Sequence, residues 1–218
     1  MAFSKRKHLG KAALLNNNAS VALKESFRDL KAKLSLFLPS EGAKTLAITS
    51  TSKKDGREAV VANLALSFAS PDVRVAVIDA DFTCDALSCL FSNENAESKK
   101  LTLSRKDGLK TYVVSIYQDL DNNIDFIPFN KIEHDDEYID DPAIASLIQV
   151  LKETYDFVVV NAPSALSVAG MNSFASVCDG FALVCKKYSS RIQNVRAALD
   201  ILRVVGANVL GVIVNDNK

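Results

Sequence analysis

The chain has 218 residues, 48% hydrophobic and 24% charged, which is enough for one full core with small appendages. Lysine plus arginine and aspartate plus glutamate both number 26, so no overall field recommends nucleic acid or a membrane surface as a partner. No apolar run is long enough to span a bilayer, and the basic first residues lack the apolar centre of a secretion signal; four cysteines (Cys84, Cys89, Cys178, Cys185) with no CxxC spacing and no nearby histidine point to reduced thiols in a cytoplasm rather than to metal.

Residues 1–19 read as a mobile basic leader carrying Lys5, Arg6, Lys7 and Lys11. Contact of that leader with an anionic inner leaflet is the lesser reading. Ser20 is a candidate cap for a helix whose apolar face is Leu23, Phe27, Leu30, Leu34 and Phe37, closed by Pro39-Ser40-Glu41-Gly42. TLAITS (45–50) reads as a strand, followed by a helix through Val60, Val61, Leu64 and Phe68. VRVAVID (73–79) is a second strand and Ala86 to Phe91 a short helix. The polar stretch 92–110 is expected to be a mobile connection, with TYVVSI (111–116) a candidate strand before NIDFIPF (123–129). The acidic run 133–141 reads as a solvated loop, and His8 and His134 as surface residues. Pro142 opens a helix through Ile144, Ile148 and Leu151. FVVVNAP (157–163), FALVC (181–185) and VLGVIVN (209–215) are strands, and Ile192, Val195, Leu199 and Leu202 mark the last helix, stopped by Gly206.

These strand runs are continuously apolar rather than alternating, the pattern of strands buried on both faces, and helical patterns lie between them. The expectation is an α/β fold, a parallel sheet sandwiched by helices, in a single domain over 20–218. In such folds ligands sit beyond the carboxyl ends of the strands.

Beyond the first strand stands TSKKDGRE (51–58), in the place of a phosphate loop of pattern G-x-x-x-x-G-K-[ST]. Thr51 holds the first glycine position and Gly56 the second, while Arg57 replaces the lysine and Glu58 the magnesium-binding hydroxyl. Lys54 stands in the loop as well. The second strand ends in Asp79-Ala80-Asp81, two acids suited to magnesium waters or to activating a hydroxyl. The next relevant end carries Asn161, a neutral amide that cannot act as a base.

The stretches ITSTSKKDGREAVVANLALSFA, VAVIDADFTCDAL, YDFVVVNAPS, CDGFALV and LGVIVN, in this order and spacing over about residues 20–216, resemble the bacterial tyrosine kinase (BY-kinase) family, the cytoplasmic modules of capsule and exopolysaccharide assembly related to septum-site and partition ATPases. The resemblance implies a P-loop NTPase-like fold. It also puts the Walker A pattern on residues 51–58, the second acidic motif on Asp79 and Asp81, the Walker B aspartate on Asn161, and a nucleotide-facing asparagine on Asn215. Thr83 and Asp85 stand where the family has arginine and proline. The family's ring-forming Glu-x-x-Arg-x-x-Arg falls on Glu25, Arg28 and Lys31, the last a departure that loses bidentate pairing. Its tyrosine-rich tail has no counterpart after Tyr188.

At about 4 Å a glutamate and one phosphate charge repel by roughly 4 kcal/mol at an effective dielectric near 20, so Glu58 opposes the ligand that the loop would hold. With lysine, hydroxyl, one acid and the substrate tail replaced together, the expectation is a pseudokinase: Asp79 and Asp81 vestigial, and no resident cofactor or metal. Weak ATP or ADP binding with magnesium stays open. By the same resemblance, the expected partners are the cytoplasmic segment of a membrane polysaccharide chain-length regulator, and further copies of the chain or an active kinase in a ring. The rival readings are an active ATP-dependent protein-tyrosine kinase with an unusual Walker A, and a partition or septum-type ATPase switch.

Overall fold

The computed structural model describes residues 15, 19–81, 86–91, 97–104, 111–119, 123–128, 141–166 and 171–216. The basic residues of the expected leader, both histidines, Cys84, Thr83, Asp85 and residues 133–140 of the acidic run lie outside the described residues. Leu15 is described, and its amide donates to Asn63 Oδ1 at 2.7 Å.

The elements follow in order as α1 (Val21–Ser35), β1 (Lys44–Ser50), α2 (Arg57–Phe68), β2 (Val75–Asp79), α3 (Ala86–Phe91), β3 (Glu97–Ser104), β4 (Thr111–Asp119), β5 (Ile124–Ile127), α4 (Asp141–Lys152), β6 (Phe157–Asn161), α5 (Met171–Ala175), β7 (Gly180–Lys186), α6 (Ile192–Val204) and β8 (Val209–Asn215). One eight-stranded sheet runs β3-β4-β5-β2-β6-β1-β7-β8. From β5 to β8 every neighbouring pair is parallel. Alternate strand residues feed two cores. Leu46, Ile48, Val75, Val77 and Val159 meet Phe27, Leu34, Leu64 and Phe68 of α1 and α2. Ala47, Ala76, Ile78, Val158 and Val160 meet Ile144, Leu147, Leu151, Phe174 and Leu202 of the other helices. This is the expected sandwich, and it leaves the carboxyl ends of β1, β2, β6, β7 and β8 at one rim.

Three readings need correction. Residues 97–104 are not part of a polar connection: they form β3, antiparallel to β4, which is itself antiparallel to β5. The Leu101 and Leu103 alternation was hidden among lysines and serines, and Leu101 packs on the core. Phe37 is not on the core face, because α1 ends at Ser35 and the ring stands 62% exposed, while Leu38 takes the buried place. Finally, β8 is an edge strand covered incompletely, so Val212 and Val214 are exposed despite its apolar run. The Ser20 cap is as expected, its hydroxyl accepting from the Leu23 amide at 3.2 Å. Among the described residues no helix is long and apolar enough to cross a membrane.

Candidate functional site

The loop after β1 turns into α2 through Gly56, whose φ of +75° is a left-handed conformation that glycine adopts without strain. A Cβ there would also lie 2.4 Å from Asn215 Nδ2, so the end of β8 approaches the loop as closely as a bare backbone allows. Asn215 Nδ2 donates to the Asp55 carbonyl at 2.9 Å. The Asp55 side chain, 2% exposed, gathers the loop. It accepts from Thr51 Oγ1 at 2.6 Å, from the Ser52 amide at 2.8 Å and, on its other oxygen, from Ser190 Oγ at 2.7 Å. Sequence reading passed over both Asp55 and Ser190. The signal for Asp55 was present, since aspartate with threonine and serine just before it is turn chemistry. Ser190, in the loop after β7, gave none.

Arg57 and Glu58 open α2 and are both buried, Arg57 to 1% exposure. One guanidinium nitrogen, Nη2, donates to Glu58 Oε1 at 2.8 Å and makes a close ion pair with Asp81 Oδ2. The other terminal nitrogen reaches Ser50 Oγ at 3.4 Å. Arg57 Nε finds no hydrogen-bond partner among the described residues. Lys54, in contrast, is exposed.

Asp79 and Asn161 are direct neighbours across the β2–β6 pair, which is why the amide reaches the acid. Asn161 Nδ2 donates to Asp79 Oδ1 at 2.8 Å, and the Asp81 amide donates to the same oxygen at 3.3 Å. Burial dominates this carboxyl and lifts it from 3.8 to about 7, against the lowering effect of the Asn161 hydrogen bond. Asn161 Oδ1, on the far side of the amide, has no partner among the described residues.

The rim therefore brings together Thr51, Gly56, Arg57, Glu58, Asp79, Asp81, Asn161 and Asn215. The expected subunit-contact residues lie elsewhere, on α1. Glu25 and Arg28 pair with each other at 2.7 Å, and Lys31 Nζ donates to the Ser67 carbonyl at 2.8 Å and lies over the Phe68 ring, so Lys31 is engaged within its own chain. Cys178 and Cys185 are free thiols, buried, and burial raises both above the ordinary thiol range, which makes them inert.

Magnesium needs several oxygens free to face it. Here the Glu58 and Asp81 carboxylates already face a guanidinium, and Asn161 supplies a neutral amide beside Asp79. With Arg57 in place the donor set does not fit the ion, and among the described residues no group of His, Cys, Asp and Glu is arranged to hold a metal.

No protein-family model matches the chain. It is 26% identical over 195 residues to the succinoglycan biosynthesis transport protein ExoP of Rhizobium meliloti, a match covering 88% of this chain and 24% of that one. To the tyrosine-protein kinase YwqD of Bacillus subtilis it is 24% identical over 195 residues, covering 89% and 81%. Among solved structures, the kinase domain of the Escherichia coli tyrosine kinase ETK superposes with a TM-score of 0.67 at 21% identity, covering 88% of this chain and 75% of that one. The septum site-determining protein MinD from Pyrococcus horikoshii, complexed with Mg-ADP, superposes with 0.58 at 22% identity, covering 79% and 70%. The fold is thus that of P-loop NTPase-like proteins. Within that class the chain is similar to proteins named tyrosine-protein kinases, YwqD among them.

Proposed function

We propose that this chain is a non-catalytic relative of the bacterial tyrosine kinases, a pseudokinase that serves as an interaction or regulatory module in capsule or exopolysaccharide biosynthesis. Its relatives named as a succinoglycan biosynthesis transport protein and as tyrosine-protein kinases support the setting. The observation that carries the loss of chemistry is Arg57. The residue at the lysine position does not point out to meet a phosphoryl group but is buried and paired with Glu58 and Asp81. A lysine there follows the transferring phosphoryl as a compact charge, and a planar guanidinium held by two carboxylates has no such freedom.

The partner this reading favours is the cytoplasmic segment of a membrane-bound chain-length regulator. Assembly with its own copies or with an active kinase is the accompanying arrangement.

Incubation with radiolabelled ATP and magnesium tests the loss of activity. No phosphotyrosine is expected on the chain or on a tyrosine-containing polymer. Phosphotyrosine that disappears in Asp79→Asn or Asp81→Asn overturns the reading.

One observation favours the rival, an active tyrosine kinase. Asp79 is held at about 7, where a carboxyl is poised to take a proton from an acceptor hydroxyl. The first amides of α2 also have no side-chain cap, so a phosphate could still approach them. The same labelling experiment decides between the two.

A further inference from the structure

A buried carboxylate cluster needs a counter-charge, and in folds of this kind magnesium and a triphosphate would supply it. Here the chain supplies its own. Glu58 Oε1, on the first turn of α2, and Asp81 Oδ2, just beyond β2, converge on one atom, Arg57 Nη2. Two oxygens from separate elements thus share a point that one cation occupies. A guanidinium is less strongly hydrated than an ammonium, so it tolerates burial to 1% exposure.

Two orphaned atoms show that the pocket is matched to the charge of the guanidinium more closely than to its hydrogen-bonding pattern. Arg57 Nε donates to nothing among the described residues, and Asn161 Oδ1, on a side chain 1% exposed and bonded to Asp79, accepts from nothing. A buried oxygen with no proton donor is a group that a hard cation can use and a guanidinium at its present place does not.

We propose that the Arg57 guanidinium is the resident cation of this site: it holds the Glu58 and Asp81 carboxylates in the place of a divalent ion, so that the chain joins its strand ends without magnesium and takes up none. The inference rests on the reading of Arg57 given above, but it concerns metal binding without nucleotide and is tested separately from phosphoryl transfer. With the guanidinium gone, Glu58 and Asp81, backed by Asp79 and Asn161 Oδ1, become an oxygen-lined cation site.

Mn2+, which prefers the same oxygen ligands, is titrated by calorimetry and by thermal melting at constant ionic strength into the wild type, Arg57→Met, and Arg57→Met combined with Asp81→Asn. The expected result is no saturable heat and an unchanged Tm for the wild type. Arg57→Met shows a saturable Tm rise and binds Mn2+ at least about tenfold more tightly than any residual wild-type binding, and the double variant loses this gain. Saturable Mn2+ binding by the wild type that Arg57→Met does not strengthen overturns the proposal, as does a folded Arg57→Met chain that gains nothing. If Arg57→Met does not fold alone, it is refolded with and without Mn2+: recovery only with the ion supports the proposal, and failure under both conditions overturns it. Phosphotyrosine formation by the wild type would remove the pseudokinase reading while leaving these metal titrations to be judged by themselves.

Discussion

Two arginine–carboxylate clusters cap opposite ends of the same sheet, and they are built on opposite logic. At the amino ends of the strands, Arg74 reaches Asp125 at 3.2 Å and lies 4.8 Å over the Tyr155 ring, while Tyr155 Oη and Gln118 Nε2 donate to the same carboxylate at 2.5 and 3.4 Å. One acid there is shared by three donors, and the arginine side chain stays 43% exposed. Burial, and then the Asp125 hydrogen bond, raise the Tyr155 hydroxyl above its ordinary range, so it stays a donor. At the carboxyl ends the proportion is reversed: one guanidinium, sealed from water, faces Glu58 and Asp81, and Arg57 Nε and Asn161 Oδ1 have no partner among the described residues. Selection for stability alone produces the first arrangement. On the function proposed above, the second is a phosphate site closed with a side chain.

The contrast is open to measurement. The largest expected effect is on Arg57. In metal-free buffer Arg57→Met should cost about 3–5 kcal/mol in urea denaturation, because two carboxylates are left buried without a cation. Arg74→Met should cost about 1 kcal/mol or less, since that pair is partly open to water. Equal losses would abolish the distinction between the two ends.

Next comes the pH dependence of Asp79. Its folded-state value of about 7 lies above the unfolded 3.8, so the native state binds the proton more tightly. That favourable term is complete below 3.8 and is lost as pH rises through about 7. Asp79→Asn keeps the acceptor for Asn161 and removes the titration. Stability curves of wild type and variant should therefore diverge in favour of the variant between pH 4 and 7, on the order of 3 kcal/mol at the upper end. Parallel curves would mean that Asp79 carries no such burial cost.

A smaller effect separates two glycines with nearly the same backbone. Gly206 has φ +76° and open space around it, whereas Gly56 has φ +75° and Asn215 against it. Gly206→Ala should cost about 1 kcal/mol and Gly56→Ala roughly 2–3 kcal/mol, because the asparagine must move as well. Similar values would show that Asn215 yields freely. The smallest effect belongs to α1: Arg28→Ala removes an exposed i,i+3 pair worth about 0.3 kcal/mol. Light scattering on both chains checks whether Arg28 serves a subunit contact, for which a drop in mass is the expected outcome and equal masses speak against it.

Much of this architecture could be seen in the residues alone. The continuous apolar runs at 45–50, 73–79, 157–161 and 181–185 marked the buried parallel strands, because a strand covered on both faces needs no polar alternation. The antiparallel edge was hidden because an edge strand such as Glu97–Ser104 is mostly polar and looks like a loop. Of the rim, Gly56, Arg57, Glu58, Asp79, Asp81 and Asn161 were singled out from the strand ends they follow, and Asn215 from the family resemblance. What the spacing could not give was their mutual pairing. Whether Arg57 faces solvent or turns back to Asp81 depends on the β2 end that folding brings beside it. Asp55 and Ser190, separated by 135 positions, meet only because β7 lies next to β1.

That last contact has a mechanical consequence. Asp55 knots the turn after β1 to the turn after β7, and its carbonyl ties the end of β8 to both. Three segments far apart along the chain are thus fastened at one residue, so none can lift away without tearing the others' bonds. The rim should open to hydrogen exchange as one cooperative unit, and a protein that gripped the Ser190 turn would pull directly on the loop in front of α2.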